Sequence, residues 1–434
     1  MKVYLDTIGC RLNQAEIEQY ARQFRAAGHA LVADPREADL AVVNTCTVTS
    51  AAASDSRQKI RQMARGGVEQ IVVTGCWSTL KPQEAVALPG VSRVISNRDK
   101  DSLVPDVLGW QGEALDLEPV ERQPIPGARL RTRAFIKVQD GCDNHCTFCI
   151  TSLARGPGRS RPIADVLADI RYTLRERGDS QAGGEAREVV LTGVHLGSWG
   201  QDLAPGNQLR DLVLAILDQT ETPRLRLSSL EPWDLDEGFF RLWENPRLCR
   251  HLHLPLQSGC AATLRRMSRK TTPQAFARLV EAARTAIPDL AVTTDVIAGF
   301  PGESPAEFQE SLDFVRDMRF AAGHVFTYSA RPGTAAARMS GQVPHEVRKE
   351  RNLLLRKALA DSGQAYQKRF VGQVLPVLWE SATTLGPQGW EVTGLTDNYL
   401  RVDALAPRHL WNTITPVRLS ALTEHGLSGQ IQFP

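Results

Sequence analysis

Between residues 141 and 149 the chain reads Gly141-Cys142-Asp143-Asn144-His145-Cys146-Thr147-Phe148-Cys149, three cysteines at spacing C-x3-C-x2-C. The stretch before it, Ala134–Gln139, has the apolar character of a buried strand. The loop therefore falls at the carboxyl end of a strand, where β/α barrels build their active sites. Further strand candidates follow at Glu188–Val194, Arg224–Leu230, His251–Gln257, Ala291–Phe300 and His324–Ser329, with a helical stretch between each neighbouring pair. One such helix opens at Ser304-Pro305-Ala306-Glu307, a start signal with proline in the first turn. Six successive β/α units favour a partial barrel with right-handed crossovers, an open sheet being the alternative.

Three thiolates from one loop suit three irons of a cubane cluster. The fourth iron then stays open, as a catalytic zinc keeps one position free. An open iron can chelate the amino and carboxylate groups of S-adenosylmethionine and pass an electron to its sulfonium. A zinc site completed by His145 or a distant residue competes with this reading, as do three simply buried thiols.

Upstream, strands at Val3–Thr7, Leu40–Asn44 and Gln70–Thr74 alternate with helices at Gln14–Ala27, Ala51–Arg65 and Pro82–Ala87. That alternation predicts a small, doubly wound parallel sheet. Cys10, Cys46 and Cys76 each lie just beyond one of these strands. Loops at the carboxyl ends of a parallel sheet share one edge, the edge where such sheets bind ligands. Three distant cysteines would converge there and suit a second cluster with a free iron; burial as small hydrophobes is the plainer alternative. Cys249 and Cys260 have no partner spacing and read as ordinary core or surface thiols.

Downstream of the charged helix Glu346–Gln367, strands near Gly372–Trp379, Trp390–Leu395, Tyr399–Ala404 and Pro416–Leu422 predict a small antiparallel barrel. A proline-rich stretch from Pro105 to Gly127 reads as a linker. The expected domains are thus residues 1–117, 128–363 and 366–434.

With 434 residues, 42% hydrophobic and 23% charged, the chain can bury several cores, which excludes wholesale disorder. No apolar run approaches a membrane span, and the start MKVYLDTIGC has no basic region leading into a long apolar stretch. A cytoplasmic protein without membrane attachment is expected, where thiols stay reduced or bind metal. The formal net charge of +2 gives no global case for nucleic acid.

With both trios in view, the sequence resembles the methylthiotransferases of the radical S-adenosylmethionine superfamily over nearly its whole length. The 141–149 loop matches C-x3-C-x-aromatic-x-C, with Phe148 as the aromatic at the cofactor site. Cys10, Cys46 and Cys76 match the family's amino-terminal trio, and about Gln367–Phe433 matches its TRAM barrel. DGCDNHCTFC (140–149), ARGPGRSRP (154–162), LTGVHLGSWG (191–200) and RLSSLEP (226–232) are similar to the branch acting on N6-threonylcarbamoyladenosine at position 37 of tRNA. Thr151-Ser152-Leu153 departs from the Pro-Tyr usual before the ARG stretch.

The resemblance implies two [4Fe-4S] clusters, S-adenosylmethionine, a tRNA substrate read at its anticodon loop, and an electron donor such as a flavodoxin or ferredoxin. It implies that Cys142, Cys146 and Cys149 carry the cluster that cleaves S-adenosylmethionine, while the amino-terminal trio carries the cluster that supplies sulfur. The alternatives are the same chemistry on isopentenyladenosine or on a ribosomal-protein aspartate. A non-catalytic zinc or iron–sulfur RNA-binding or redox-sensing protein is the alternative of another class.

Strand-end loops offer cofactor contacts at Thr192 and Gly193, Ser229 and Glu231, and Ala298 and Gly299, where glycine permits close approach and a carboxylate can accept ribose hydroxyls. His195 and His324 read as satisfied core histidines. From Arg122 to Arg161 eight basic residues stand against two acidic ones. Arg129, Arg131, Arg133, Arg155, Arg159 and Arg161 are accordingly candidate phosphate contacts, with Arg155 and Arg161 alternatively supporting the cluster loop. From Gln364 to Pro434 five basic residues balance five acidic ones, so charge alone gives that barrel no case for RNA.

Overall fold

The computed structural model describes residues 1–110, 123–126, 131–174, 185–204, 206–386 and 389–433. It packs as two compact units. One is Met1–Asn144 with Ile150–Glu185 and Thr192–Val194; the other is His145–Cys149 with Ala186–Leu191 and His195–Pro434. Among the described residues no helix is long and apolar enough to cross a membrane.

The first unit begins β1 (Lys2–Thr7), α1 (Arg11–Ala26), β2 (Ala30–Leu31), β3 (Leu40–Thr45), α2 (Ser50–Arg65), β4 (Ile71–Gly75), α3 (Cys76–Leu80), α4 (Pro82–Val86), β5 (Val91–Val94) and α5 (Leu103–Leu108). The strands form one parallel sheet in the order β2-β1-β3-β4-β5. Alternate residues of the central strands feed two cores, because successive side chains point to opposite faces. Val3, Leu5, Val42 and Val72 pack with Ile17, Tyr20 and Phe24 of α1 and with Leu103 and Val104 of α5. Ala41, Val43, Ile71 and Val73 pack on the other face with Ile60, Met63, Trp77 and Ala85. The sheet is doubly wound, as expected. The edge strands β2 and β5 escaped the sequence reading because they are short and poorly buried. Pro105 lies inside α5, so that part of the expected linker is helical; residues 111–122 and 127 fall outside the description.

This unit continues with β6 (Arg133–Lys137), β7 (Gln139–Asp140), α6 (Thr151–Arg155), β8 (Arg159–Ser160) and α7 (Ile163–Thr173). The Val138 N–H donates to Thr192 O at 2.9 Å.

The second unit contains β9 (Glu188–Thr192, its last residue grouped with the first unit), α8 (Leu209–Gln219), β10 (Leu225–Leu227), β11 (His251–His253), α9 (Ala261–Arg266), α10 (Pro273–Ala286), β12 (Ala291–Ala298), α11 (Pro305–Asp317), β13 (Ala322–Thr327) and α12 (His345–Lys368). Strand β9 pairs with β10 in parallel, bridges at Leu225–Leu248 and Ser229–His253 carry the ladder toward β11, and β11-β12-β13 are parallel. Ser304 and Glu307 close the capping box that opens α11. Between β10 and β11 the expected helix is replaced by two 3₁₀ turns, Pro232–Asp234 and Phe239–Glu244.

The chain ends in β14 (Val374–Gly386), β15 (Gly389–Thr396), β16 (Arg401–Ala406), β17 (Ile414–Leu422) and β18 (Leu427–Ile431), a closed barrel in the order β14-β15-β16-β18-β17. Closure removes the free edges a small sheet would expose. The fifth strand was not anticipated, since LSGQI offers little alternation. Val377, Trp379, Val392, Val402, Val417 and Leu427 fill the interior, joined by Phe370.

The barrel is fastened to the amino-terminal ends of β9, β10 and β11. Arg224 donates to Leu395 O at 3.0 Å and Pro376 O at 2.8 Å. Arg226, wholly buried, forks onto Glu188 at 2.7 and 3.0 Å and also reaches Thr396 O and Asp397 O. Arg250 holds Asp397 at 2.7 Å, and the His251 ring stacks on Tyr399 at 4.1 Å. Removing one partner of a fully buried pair strands the other charge, so Arg226→Met should cost about 3–5 kcal/mol. Adding Glu188→Leu should recover most of that loss, read by denaturant unfolding of the four members of the cycle.

Candidate active site

Strand order decides where the first trio of thiols can meet. From β1 the chain first adds β2 on one side and then β3 on the other, so β1 and β3 flank a topological switch point. Cys10 follows β1 as the residue before α1, Cys46 follows β3, and Cys76 opens α3 directly after β4. All three lie at the carboxyl edge.

Gly9, at φ +110°, lets Cys46 come close: a Cβ at residue 9 would stand 2.5 Å from the Cys46 Sγ. Gly75, at φ +99°, would clash in the same way with the backbone of Thr45. Asn13 ties the loops together, its Nδ2 donating to Ile8 O at 2.8 Å and Thr45 O at 3.2 Å, its Oδ1 lying 3.6 Å from the Cys10 Sγ. The Asn97 Nδ2 lies 3.6 Å from the Cys76 Sγ. Burial pushes the Cys46 thiol up, helped by charge on Cys10 and Cys76, so the three are electrostatic neighbours.

Among the described residues no group of three His, Cys, Asp or Glu surrounds a single metal ion. A cubane places each thiolate on a different iron, so its sulfurs must stand further apart than ligands around one ion. Soft thiolate donors on a glycine-lined, largely buried edge fit such a cluster.

The 141–149 loop is shaped by its own glycine. Gly141 has φ +72°, and a Cβ there would lie 1.8 Å from Pro157 O. In the first unit the Cys142 N–H donates to Gly156 O at 3.0 Å. In the second unit the Thr147 N–H donates to Met267 O, the Ala336 N–H donates to Thr147 O, and Phe148 packs edge-to-face on Phe300 at 6.4 Å. The Arg269 Nη1 lies 3.8 Å from the Cys146 Sγ while the guanidinium forks onto Glu231 at 3.1 and 2.6 Å. Its carbon also sits 4.5 Å over the Trp233 ring. Burial raises the Cys146 thiol above its ordinary range, and Arg269 opposes that by favouring the thiolate. Sequence reasoning missed Arg269; its stretch, MSRKTTP, follows a helix and carries no spacing that singles it out.

The other expected cofactor contacts are distributed unevenly. Thr192 is buried and its hydroxyl donates to Ile136 O at 3.2 Å, with Gly193 next in the first unit. Ser229 and Glu231 lie together beyond β10 in the second unit. Ala298 ends β12, and Gly299 has its Cβ position filled by the Arg348 stem while its N–H donates to Glu303. The close approach that glycine permits here is used by the stem of Arg348 on α12. His195 is bonded to Asp234 at 2.6 Å, as a satisfied histidine should be. His324 instead stands exposed on edge strand β13, correcting its reading as core.

The arginine group also divides. Arg129 lies outside the described residues. Arg131 is exposed over the Phe135 ring and Arg133 is half-buried. Arg155 is 2% exposed and enclosed by Glu16 and Asp140, so it is not a phosphate contact. Arg159 donates to Asn97 O and Arg98 O, and Arg161 to Lys137 O and Asp169. Glu16, Asn97 and Arg98, which hold Arg155 and Arg159, are distant in sequence, and charge counting cannot reveal them.

Residues 2–96 match the model of uncharacterized protein family UPF0004, and residues 136–315 that of the radical SAM superfamily. The chain is 36% identical over 414 residues to the threonylcarbamoyladenosine tRNA methylthiotransferase MtaB of Bacillus subtilis, covering 92% of this chain and 89% of that protein. It is 35% identical to the MtaB of Thermotoga maritima, covering 98% and 96%. The chain belongs to the radical S-adenosylmethionine methylthiotransferase family. A tRNA-2-methylthio-N6-dimethylallyladenosine synthase of Maricaulis maris is 29% identical, covering 99% and 97%. Among solved structures, the radical S-adenosylmethionine methyltransferase TsrM of Kitasatospora setae matches with TM-score 0.54 at 15% identity over 77% of each chain, which bears on fold alone. Members of this methylthiotransferase family use S-adenosylmethionine and two four-iron clusters.

Gly9→Ala should leave the fold and the 141–149 loop intact but remove about half of the bound iron, because the new methyl occupies the Cys46 sulfur position. Gly28→Ala, at φ +79° with nothing within 4 Å, is the control for backbone strain and should keep its iron. Burial would raise the Glu16 carboxyl, but Arg155, Lys100 and Lys137 overcome this and hold it at about 2. A depressed folded value means the stability it lends is complete above an unfolded value of about 4.3 and drains away as pH falls toward the folded one. Glu16→Gln should flatten acid unfolding between those limits, followed by circular dichroism.

Proposed function

We propose that this chain methylthiolates C2 of N6-threonylcarbamoyladenosine at position 37 of tRNA, in the cytoplasm, with S-adenosylmethionine and two [4Fe-4S] clusters. The observation that carries the reading is the gathering of Cys10, Cys46 and Cys76 at the switch point of a sheet, in a chain that also bears the 141–149 loop. Cleavage of S-adenosylmethionine alone needs only the loop; a second trio implies a second inorganic centre. The stronger match to threonylcarbamoyladenosine enzymes than to a dimethylallyladenosine enzyme supports the substrate.

When bound, the clusters and S-adenosylmethionine supply a carbon radical and a methylated sulfur. The C2–H of adenine is neither acidic nor activated, so no general base on this chain could replace that chemistry. Cys142, Cys146 and Cys149 would hold one cluster and Cys10, Cys46 and Cys76 the other. Arg269 favours the thiolate form of Cys146 and fixes Glu231 by a bidentate pair, leaving that carboxylate oriented at the strand end. Phe148 and Phe300 give the loop an apolar backing that excludes water. Arg131, exposed where it lies over the Phe135 ring, is a candidate contact to RNA phosphate, and a small redox protein such as a flavodoxin or ferredoxin would deliver the electron.

Anaerobically reconstituted Cys146→Ala should lose cleavage of S-adenosylmethionine while keeping iron on the first trio. Cys46→Ala should still form 5′-deoxyadenosine but yield no methylthiolated nucleoside. Mass spectrometry of tRNA nucleosides reads the product directly. Stoichiometric zinc without sulfide would overturn the reading, and modification of isopentenyladenosine instead would overturn the substrate.

A further inference from the structure

Behind the first trio lies a buried ion network that the proposed chemistry does not use. The Arg155 guanidinium donates to Asn13 Oδ1 at 2.7 Å, Asp140 Oδ1 at 2.9 Å and Glu16 Oε1 at 3.0 Å. Lys100, wholly buried, bridges Glu16 and Asp140, reaching Asp140 Oδ2 at 2.6 Å. Glu16 Oε2 in turn accepts from Asn44 Nδ2 at 2.9 Å, at the end of β3. Lys137 completes the set beside the same two carboxylates and pairs with Asp101 at 2.6 Å. Buried pairs of this kind seldom add net stability over apolar residues, so their presence asks for another reason.

The reason lies in what the three acceptors are attached to. Asn13 shares its Oδ1 with the neighbourhood of the Cys10 Sγ, and its amide holds the loops after β1 and β3. Asp140 also accepts from the Gly141 N–H at 2.8 Å, one residue before Cys142, whose own N–H is held by Gly156 O. Glu16, the third acceptor, holds Asn44 at the end of β3, and through the backbone Ala154 O, one residue before Arg155, accepts from Asn97 Nδ2 at 2.8 Å, the nitrogen beside the Cys76 Sγ. A single planar fork therefore joins the cradle of the first trio to the first cysteine of the radical loop, all within one compact unit. Lysine has one ammonium on a flexible stem and cannot span three acceptors in fixed directions.

We infer that Arg155 is a positioning residue that fixes the Cys10–Cys46–Cys76 cradle relative to Cys142, and so couples cleavage of S-adenosylmethionine to delivery of sulfur. This rests on the proposed two-cluster function. Burial disfavours its charge, yet Glu16, Cys76, Asp140 and Cys10 hold the guanidinium firmly protonated, so the strut is permanently charged.

The test uses the reconstituted full-length Arg155→Lys enzyme with substrate tRNA. Both clusters should be present by iron and sulfide analysis, and 5′-deoxyadenosine should still form. The yield of methylthiolated nucleoside per 5′-deoxyadenosine should fall on the order of tenfold to a hundredfold, the scale of a sub-ångström to ångström misplacement. The magnetic interaction between the two reduced clusters, read by electron paramagnetic resonance, should change with it. An unchanged product ratio, or equal loss of both products with an unaltered spectrum, overturns the inference. Should Arg155→Lys fail to fold, Asn13→Ala, which removes the arm toward Cys10 together with the amide bonds to Ile8 O and Thr45 O, should show the same uncoupling. A wild-type enzyme that makes no methylthiolated tRNA would defeat the functional reading instead, while the spectral comparison would still judge the strut.

Discussion

Everything at the candidate active site follows from the reversal of strand order between β1 and β3. A parallel sheet has one carboxyl edge, and the reversal opens a crevice there that the crossovers leave uncovered. Cys10 and Cys46 lie in the loops that leave β1 and β3 on either side of that crevice, and Cys76 follows the next strand over. Glycine at position 9 is what makes the approach close, since any side chain there would occupy the space of a thiol. Without the reversal the same three cysteines would sit over separate crossover helices.

The buried charges become intelligible from that edge. A cradle of thiolates is an anionic surface, and a sheet built of Val, Leu and Ile has nothing to balance it. Arg155, Lys100 and Lys137 bring three cations to the back of the crevice, and Glu16 and Asp140 keep them fixed and solvated in the absence of water. The second unit repeats the device in miniature. Arg269 stands beside Cys146 and is aimed by Glu231, so a cation again faces a thiol from a direction set by a carboxylate. In both places the arginine is buried and its two terminal nitrogens are held by protein acceptors, which separates these residues from arginines that meet solvent or phosphate.

Spacing made the two cysteine trios legible in the sequence, because strand, cysteine and helix follow one another locally and parallel topology does the rest. Strands β1, β3 and β4 were readable within a residue or two, β3 and β4 as fully buried runs and β1 from its alternating buried Val3 and Leu5. Edge strands were not, since β5 alternates only partly buried and exposed residues and β18 lacks a consistent pattern. Arg155 illustrates the harder limit. In the sequence it is one of eight basic residues around a catalytic loop, indistinguishable from Arg131; only folding brings Glu16 and Asn13, more than a hundred positions away, onto its guanidinium. Composition reports how much positive charge a segment carries and says nothing of which charges are already spent inside.

The carboxyl-terminal barrel shows the same principle at the other end of the strands. Its charge is balanced, so long-range attraction to a polyanion cannot be its main service. What it does offer is a row of backbone carbonyls, Pro376, Leu395, Thr396 and Asp397, that accept from Arg224 and Arg226. Those arginines stand at the amino-terminal end of β10, beside Glu188 at the start of β9, beneath the parallel sheet. The barrel thus sits at the amino-terminal ends of these strands, opposite the carboxyl end of β10 that Glu231 follows. A closed module, antiparallel save for the parallel pairing of β16 with β18 that the sequence reading did not anticipate, is suited to this, because it can present carbonyls at its rim without offering an edge strand to a second chain.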